Sequence, residues 1–371
     1  MSHHLHETSN RLASIDAYRG FTMLAMASAG LSLTPLLENH NLGLLAHQLE
    51  HEEWEGCTAW DLIQPSFMFL VGVAMPFSFA RREEQGATWK QQFSHALGRC
   101  LLLALIGMFL DTYSEHIVTV QFIRVLQQIA LAYILVFFVL SWTVPLQLVV
   151  LIGILTFHPA SYILYCQARG LADPWLPGNN LGTRIDESMN LPRFLSYHID
   201  FMPVSKGNYT TLNALTSAAT ILSGVLVGRL LRSPISSNSK VLVLIAIGFS
   251  CLCLGLNLSP YVPMIKRLWT SSVALYAGGW TFLLMAGFYA LIDGLKCRNW
   301  AFPLIVVGMN SIAIYVFSGV AGSNIKRAIE PFLLTFNMSQ EIGLVTLAVA
   351  ALGVKWLFCY WLYRHKIFMR V

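Results

Sequence analysis

Charge is scarce in this chain. Only 12% of its 371 residues are Asp, Glu, Lys or Arg, against 56% that are hydrophobic, where soluble domains carry roughly 25% charged residues. A free-standing water-soluble globule is therefore excluded, and a bilayer is the expected solvent. No period-two alternation dominates, which argues against a membrane β-barrel. The 7 cysteines show no C-x-x-C spacing and lie mostly in apolar runs, so they read as small core residues rather than a zinc site or disulfide framework. The opening "MSHHLHETSNR" has no apolar run before a small-residue cleavage site. It is expected to be a polar tail, with the first span acting as its own signal. His3, His4 and His6 within it read as solvated, and no metal is expected. The net charge of +5 sits mainly in short loops; topology and anionic lipid account for it, with no nucleic-acid partner.

What is present is a succession of apolar runs, each of about 17 to 25 residues, the length that crosses a hydrocarbon core of roughly 30 Å. Ten spans are expected, near 15–36, 60–80, 95–112, 124–142, 146–166, 210–231, 241–258, 269–292, 301–321 and 341–363. Backbone polar groups in lipid must be satisfied internally, so the spans are expected to be helices. The fold class is all-α: a polytopic helical membrane bundle forming a single domain over 1–371, with a polar tail at 1–13. Arg81, Arg82, Lys90, Arg99, Arg229, Arg232, Lys240, Lys296, Arg298, Arg364, Lys366 and Arg370 all fall on one side if the N-terminus is cytoplasmic, as the positive-inside bias requires. Both termini are then cytoplasmic. Glu38, Glu50, Glu52, Glu53, Glu55, Glu115, Asp186 and Glu187 collect on the other side, where Lys266, Arg267, Lys326 and Arg327 dissent. The segment 167–208, rich in Pro, Gly, Asn and aromatics, reads as an ordered external loop with the makings of a lid.

Several ionisable groups lie in or beside the apolar runs. Asp16 and Arg19 are three apart and share a helix face, either pairing with each other or lining a site. Asp61, Asp111, Arg124 and Lys355 sit in or at the ends of spans, Lys355 being long enough to snorkel toward an interface. His51 lies just before the second span, in "HEEWEGCTAWDLIQPSFMF". A histidine flanked by carboxylates is suited to act as general base or acyl-accepting nucleophile; read from composition alone, it is equally a solvated loop residue.

The ordered set "RLASIDAYRGFTMLAM", "HEEWEGCTAWDLIQPSFMFLVGVAMPFS", "RVLQQIALAYIL", "LNALTSAATILSGVLVG", "KRLWTSSVALYAGG", "GMNSIAIYVFS" and "WLFCYWLYRHKIFMRV" resembles the motifs of the heparan-α-glucosaminide N-acetyltransferase family of transmembrane acyltransferases, from Arg11 to Val371. The most specific part is the H-x-x-W-x-G-x-x-x-x-D-x-x-x-P-x-F-x-F pattern that begins at His51. Gly30 stands where family members commonly carry asparagine, and Gln128 where an arginine is frequent.

The resemblance implies transfer of acetyl from cytosolic acetyl-CoA to an amino sugar or sugar hydroxyl beyond the membrane, with His51 as the catalytic histidine and Asp61 helping to build the shaft. On that footing Arg19 and Arg82, with Asp16, are the candidates for holding acetyl-CoA. Arg124 and Asp111 are placed to orient His51 or the sugar, and Asn310 to hydrogen-bond the thioester oxyanion or to act as interhelical polar glue. Trp54, Trp60 and Trp269 are candidates for stacking on a sugar, or for interfacial belt positions, and Glu53 for contacting it. The expected partners are the sugar acceptor, acetyl-CoA, the bilayer and a second copy of the chain in a homodimer. The expected setting is a bacterial inner membrane. A transporter for a sugar or cell-wall fragment is the alternative, resting on the intramembrane charges and the Gly-interrupted "LYAGGW".

Overall fold

The computed structural model describes residues 12–189, 199–201, 209–336 and 338–369. His3, His4 and His6, nearly all of the expected tail, and positions 190–198 and 202–208 of the expected loop lie outside the described residues.

Among the described residues fourteen α-helices carry the fold: α1 (Ala13–Ser28), α2 (Thr34–Asn39), α3 (Gly43–His47), α4 (Ile63–Glu84), α5 (Trp89–Glu115), α6 (Val125–Val139), α7 (Val144–Arg169), α8 (Leu181–Met189), α9 (Asn213–Arg232), α10 (Ser237–Leu258), α11 (Ser271–Tyr289), α12 (Phe302–Gly308), α13 (Ser311–Leu333) and α14 (Gln340–Arg364). Strands β1 (Val118–Val120) and β2 (Ile199–Phe201) pair in parallel. The all-α bundle is as expected. Every one of the ten apolar runs is helical, and among the described residues seven helices are long and apolar enough to cross a membrane, or eight if α12 and α13 form one broken span. The protein is an integral membrane protein. The 16-residue α1 and the 15-residue α6 are shorter.

Two of the expected spans are corrected. The run 15–36 is not one helix: α1 ends at Ser28, and Ala29, Gly30, Leu31 and Ser32 all have positive φ, which breaks the helix before α2. The run 301–321 bends by 67° between α12 and α13. The described part of the expected loop 167–208 contains α8 and β2. Lys355 also does not snorkel. It is buried, and its Nζ donates to the Ala27 carbonyl at 2.7 Å, satisfying an orphan acceptor at the end of α1.

Close helix crossings depend on glycine. Gly20 of α1 and Gly308 of α12 bring their backbones together: a Cβ on either would overlap the Leu304 or Asp16 carbonyl. Gly72 on α4 abuts the Ile221 carbonyl of α9, and Gly224 of α9 abuts the Phe69 carbonyl of α4. Without a hydrophobic drive between helices in lipid, such close packing of small residues holds them together. Around the crossings Met68, Leu70, Val71, Ile221, Leu222 and Val225 are buried. Pro159 in α7 cannot donate to the Leu155 carbonyl four residues earlier; Ser271 Oγ of α11 donates to it instead, at 2.6 Å.

The 22 residues of α4 span roughly 33 Å and set the separation of two polar ends. Arg81 and Arg82 lie at its last turn, whereas Asp61 lies in the short turn Trp60–Leu62 before its first. Gly72→Leu is expected to abolish the monodisperse peak in detergent size-exclusion chromatography, an overpacking effect of several kcal/mol (~3–5). Gly98→Leu, where an added Cβ meets nothing within 4 Å, is expected to elute as wild type.

Candidate active site

The turn before α4 is folded around one carboxylate. Asp61 is 1% exposed, and its Oδ2 accepts the backbone N–H groups of Glu52 and Thr58, each at 3.2 Å. The Thr58 hydroxyl donates to the Glu50 carbonyl at 2.6 Å and lies 3.1 Å from the same Oδ2. The Gln48 carbonyl and side-chain oxygen accept from Trp60 N (3.0 Å) and Ala59 N (2.9 Å), closing the loop 48–61 on itself. Gly56 sits at φ +133°, a region closed to other residues, and its N–H donates to the Met264 carbonyl at 2.8 Å. That bond fastens the loop to the chain before α11.

On its other oxygen, Asp61 Oδ1 takes His51 Nδ1 at 2.7 Å and Lys266 Nζ at 2.9 Å. Lys266 Nζ is also 3.2 Å from His51 Nδ1. An ionised carboxylate only accepts, so the short contact assigns the Nδ1 proton to His51. The His51 side chain is 55% exposed, and its Nε2 makes no hydrogen bond among the described residues. A ring pinned at Nδ1 with its Nε2 lone pair open has the arrangement of a general base or nucleophile held by a carboxylate. Beside it His47 Nε2 pairs with Glu52 Oε1 at 2.9 Å. Burial pushes the Cys57 thiol up to about 12, with the Asp61 charge adding to the effect and Lys266 opposing it.

The other candidates fall into separate groups. Glu53 is exposed near His51, and Trp54 packs by Tyr162, Trp175, Ile265 and Leu268. Trp269 is fully buried and donates from Nε1 to Thr220 Oγ1 at 3.2 Å, so it presents no face to solvent. Asp111, buried, binds Arg124 Nε at 2.7 Å and Gln127 Nε2 at 2.8 Å. Gln128 next to Gln127 accepts from Gln64 Nε2 at 3.3 Å, which links this cluster to the first turn of α4. Asp16 and Arg19 face each other at 3.6 Å on α1. Asn310 is fully buried at the α12–α13 bend, its Oδ1 accepting from Met369 N at 3.1 Å and its Nδ2 without a partner among the described residues. Among the described residues Asn310 makes no hydrogen bond to His51. Gly30, by contrast, lies against Leu49: a Cβ there would come 3.6 Å from the Leu49 carbonyl.

Arg82 stands at the far end of α4 with its guanidinium 2.5 Å from His95 Nε2. Arg99 lies over the Tyr133 ring at 4.9 Å with Nε buried and unpartnered. Arg229 and Arg232 donate to the Leu140 and Pro76 carbonyls at 2.5 and 2.8 Å. Among the described residues these four guanidiniums have no carboxylate partner.

Lys266, Thr58 and Arg99 were not singled out as site residues in the sequence. The one signal for Lys266 was its place among the acids, against the charge bias. No group of three or more metal-ligating side chains occurs among the described residues.

Fold and site together define a polytopic helical membrane protein with a histidine–carboxylate–lysine cluster at one polar end and a guanidinium cluster at the other. Residues 11–177 match the family model described as heparan-alpha-glucosaminide N-acetyltransferase, catalytic. The human heparan-alpha-glucosaminide N-acetyltransferase is 24% identical over 97% of this chain and 60% of its own length; the mouse protein of that name is 24% identical over 98% and 61%. The chain is similar to these proteins and spans about three-fifths of the length of these curated relatives.

Because the thiolate is the reactive form of cysteine, a thiol held near 12 stays protonated at neutral pH. Cys57 is therefore expected to react with iodoacetamide at least about 10-fold more slowly than the exposed Cys297, with no gain until the pH is strongly alkaline. Peptide mass spectrometry reads both rates.

Proposed function

We propose that the protein transfers acetyl from acetyl-CoA, taken from the cytoplasmic side, to an amino sugar or sugar hydroxyl on the opposite side. The observation that carries this reading is the His51–Asp61 pair, with Nδ1 pinned and Nε2 open at one polar end of the bundle. The family likeness supports acetyl as the group moved, since the relatives are named as N-acetyltransferases.

The residues at the other end suit acetyl-CoA as a substrate. Its nucleotide is polyanionic, and Arg82, Arg99, Arg229 and Arg232 form a cationic group without carboxylate partners. The orphaned Arg99 Nε supplies a buried donor that an anionic oxygen would satisfy. With those phosphates held, the thioester end is free to thread toward His51 along the bundle. There the thioester C–S bond breaks, a C–N or C–O bond forms on the acceptor, and the acceptor's proton ends on the CoA sulfur. His51 Nε2 either removes the acceptor proton or takes the acetyl first as an acyl-imidazole. Trp54 and Glu53 border the His51 loop and are assigned to the sugar, as is the Asp111–Arg124 cluster. This orientation places both termini in the cytoplasm; a bacterial inner membrane is the proposed setting, and a homodimer the proposed assembly.

Purified protein in detergent, incubated with acetyl-labelled acetyl-CoA and glucosamine, is expected to yield labelled sugar, and His51→Ala to yield none. Label retained on wild-type protein without acceptor selects the acyl-imidazole route. Asp61→Asn, which releases the ring and disturbs its tautomer, is expected to lower the rate by about 10²-fold or more. Arg99→Ala is expected to raise KM for acetyl-CoA about 10-fold with little change in kcat, equivalent to ~1.4 kcal/mol. Absence of labelled product from wild type across a panel of amino sugars and sugar alcohols, with no binding of acetyl-CoA, overturns the reading.

A further inference from the structure

Lys266 is the member of the cluster with no assigned task. We propose that Lys266 is a positioning residue that keeps His51 in its neutral form, with the Nδ1 proton turned toward Asp61 and the Nε2 lone pair free. The proposal rests on the assignment of His51 as the reacting group.

The charges make the case. In a bare histidine–carboxylate pair the carboxylate stabilises an imidazolium. Here the Asp61 carboxylate is already balanced by an ammonium 2.9 Å away on the same oxygen. With a neutral ring, Asp61 and Lys266 sum to zero. A protonated ring would put two cations against one carboxylate, with Lys266 Nζ only 3.2 Å from Nδ1. Lys266 is 9% exposed and Asp61 1%, so water screens this repulsion poorly.

Among the described residues no other carboxylate is in contact with this edge of the ring. From the His51 loop, Glu52 is engaged with His47 of α3, Cys57 is an uncharged thiol at neutral pH, and Glu53 and Glu55 are exposed. Glu50 is likewise exposed, and its carbonyl takes the Thr58 hydroxyl. From the 266 turn, Arg267 directs its guanidinium over Tyr209 at 6.0 Å.

The turn that carries Lys266 is built to hold it still. Ile265 N donates to Thr270 Oγ1 at 3.1 Å and Trp269 N to the Lys266 carbonyl at 3.0 Å. Asn213 Nδ2 of α9 donates to the Arg267 carbonyl at 2.7 Å, and Trp269 is buried at φ +51°. A backbone fixed on both flanks delivers the ammonium to one oxygen rather than letting a long side chain wander. Lys266 thereby sets the charge state of a ring whose tautomer Asp61 fixes.

The test reads the ring directly. Full-length protein in detergent is treated with diethylpyrocarbonate from mildly acidic to mildly alkaline pH, and modification of the His51 peptide is followed by mass spectrometry. Wild type is compared with Lys266→Met, Lys266→Gln and Lys266→Arg. Both neutral variants are expected to move the pH midpoint of His51 modification upward by about one unit, the size of a close-charge effect, while Lys266→Arg stays within a few tenths. Lys266→Gln keeps a donor for Asp61, so a shift shared with Lys266→Met reports charge and not a lost hydrogen bond. The same preparations are scored for acetyl transfer, where the neutral variants are expected to lose kcat near neutral pH and regain it at higher pH, with KM for acetyl-CoA unchanged. Midpoints in the neutral variants equal to wild type, or an Lys266→Arg midpoint that moves with them, overturn the proposal. A shifted midpoint in protein that transfers no acetyl leaves Lys266 in its role and sinks the acetyl-transfer reading alone.

Discussion

The Asp61 carboxylate is the point on which the outer polar end of this molecule turns. Two backbone N–H groups, an imidazole and an ammonium converge on its two oxygens, from the loop before α4 and from a turn 205 residues further along. Removing any one donor leaves a buried anion short of partners, which is the expensive state for a charge out of water. Beyond the packing of Trp54 by Ile265 and Leu268, the shape of the loop 48–61 depends on this polar hub and on the Gly56 bond to Met264. The position of His51 is therefore a consequence of electrostatics, on a scaffold whose helices are placed by packing.

The scaffold supplies distance. Guanidiniums without carboxylate partners gather where α4 ends and α5, α6 and α9 meet it, and the carboxylate cluster gathers where α4 begins. The two are separated by a helix about as long as a bilayer core is thick. Such segregation lets one protein hold two chemically unlike partners at opposite faces, each in surroundings of suitable charge. The glycine crossings of α1 with α12 and α4 with α9 keep that frame from flexing, because backbones in direct contact leave no side-chain layer to repack.

Helices were easy to read from the sequence because an apolar run of spanning length has few alternatives in lipid. The breaks were harder. Positive φ at Ala29, Leu31 and Ser32 has no signature in "ASAGLS" beyond a single glycine, and the bend at Met309–Asn310 is buried in an apolar run that continues on both sides. His51 and Asp61, ten residues apart, lie within one motif where they could be paired, although Asp61 was expected only to help build the shaft. Lys266 could not: its partner is remote in sequence, and only its unexpected sign among the acids set it apart. Arg99 was visible as a charge obeying the orientation rule, but its orphaned Nε is a property of packing against Tyr133. Lys355 shows the reverse case, where a general habit of long side chains gave way to a specific acceptor, the Ala27 carbonyl.

Pro159 has a further bearing, on assembly. It leaves the Leu155 carbonyl of α7 open, and the group that closes it, Ser271 Oγ, is 116 residues later in the chain. During synthesis α7 enters the bilayer long before α11 exists. For that interval a bare carbonyl sits at membrane depth, where each unsatisfied polar group costs several kcal/mol (~2–7). Until Ser271 is made, the nascent helix is better off beside water or the insertion machinery than released into lipid. One proline thus ties the final seating of the fifth apolar run to the arrival of the eighth, and sets an order on maturation that no contact in the finished bundle would reveal.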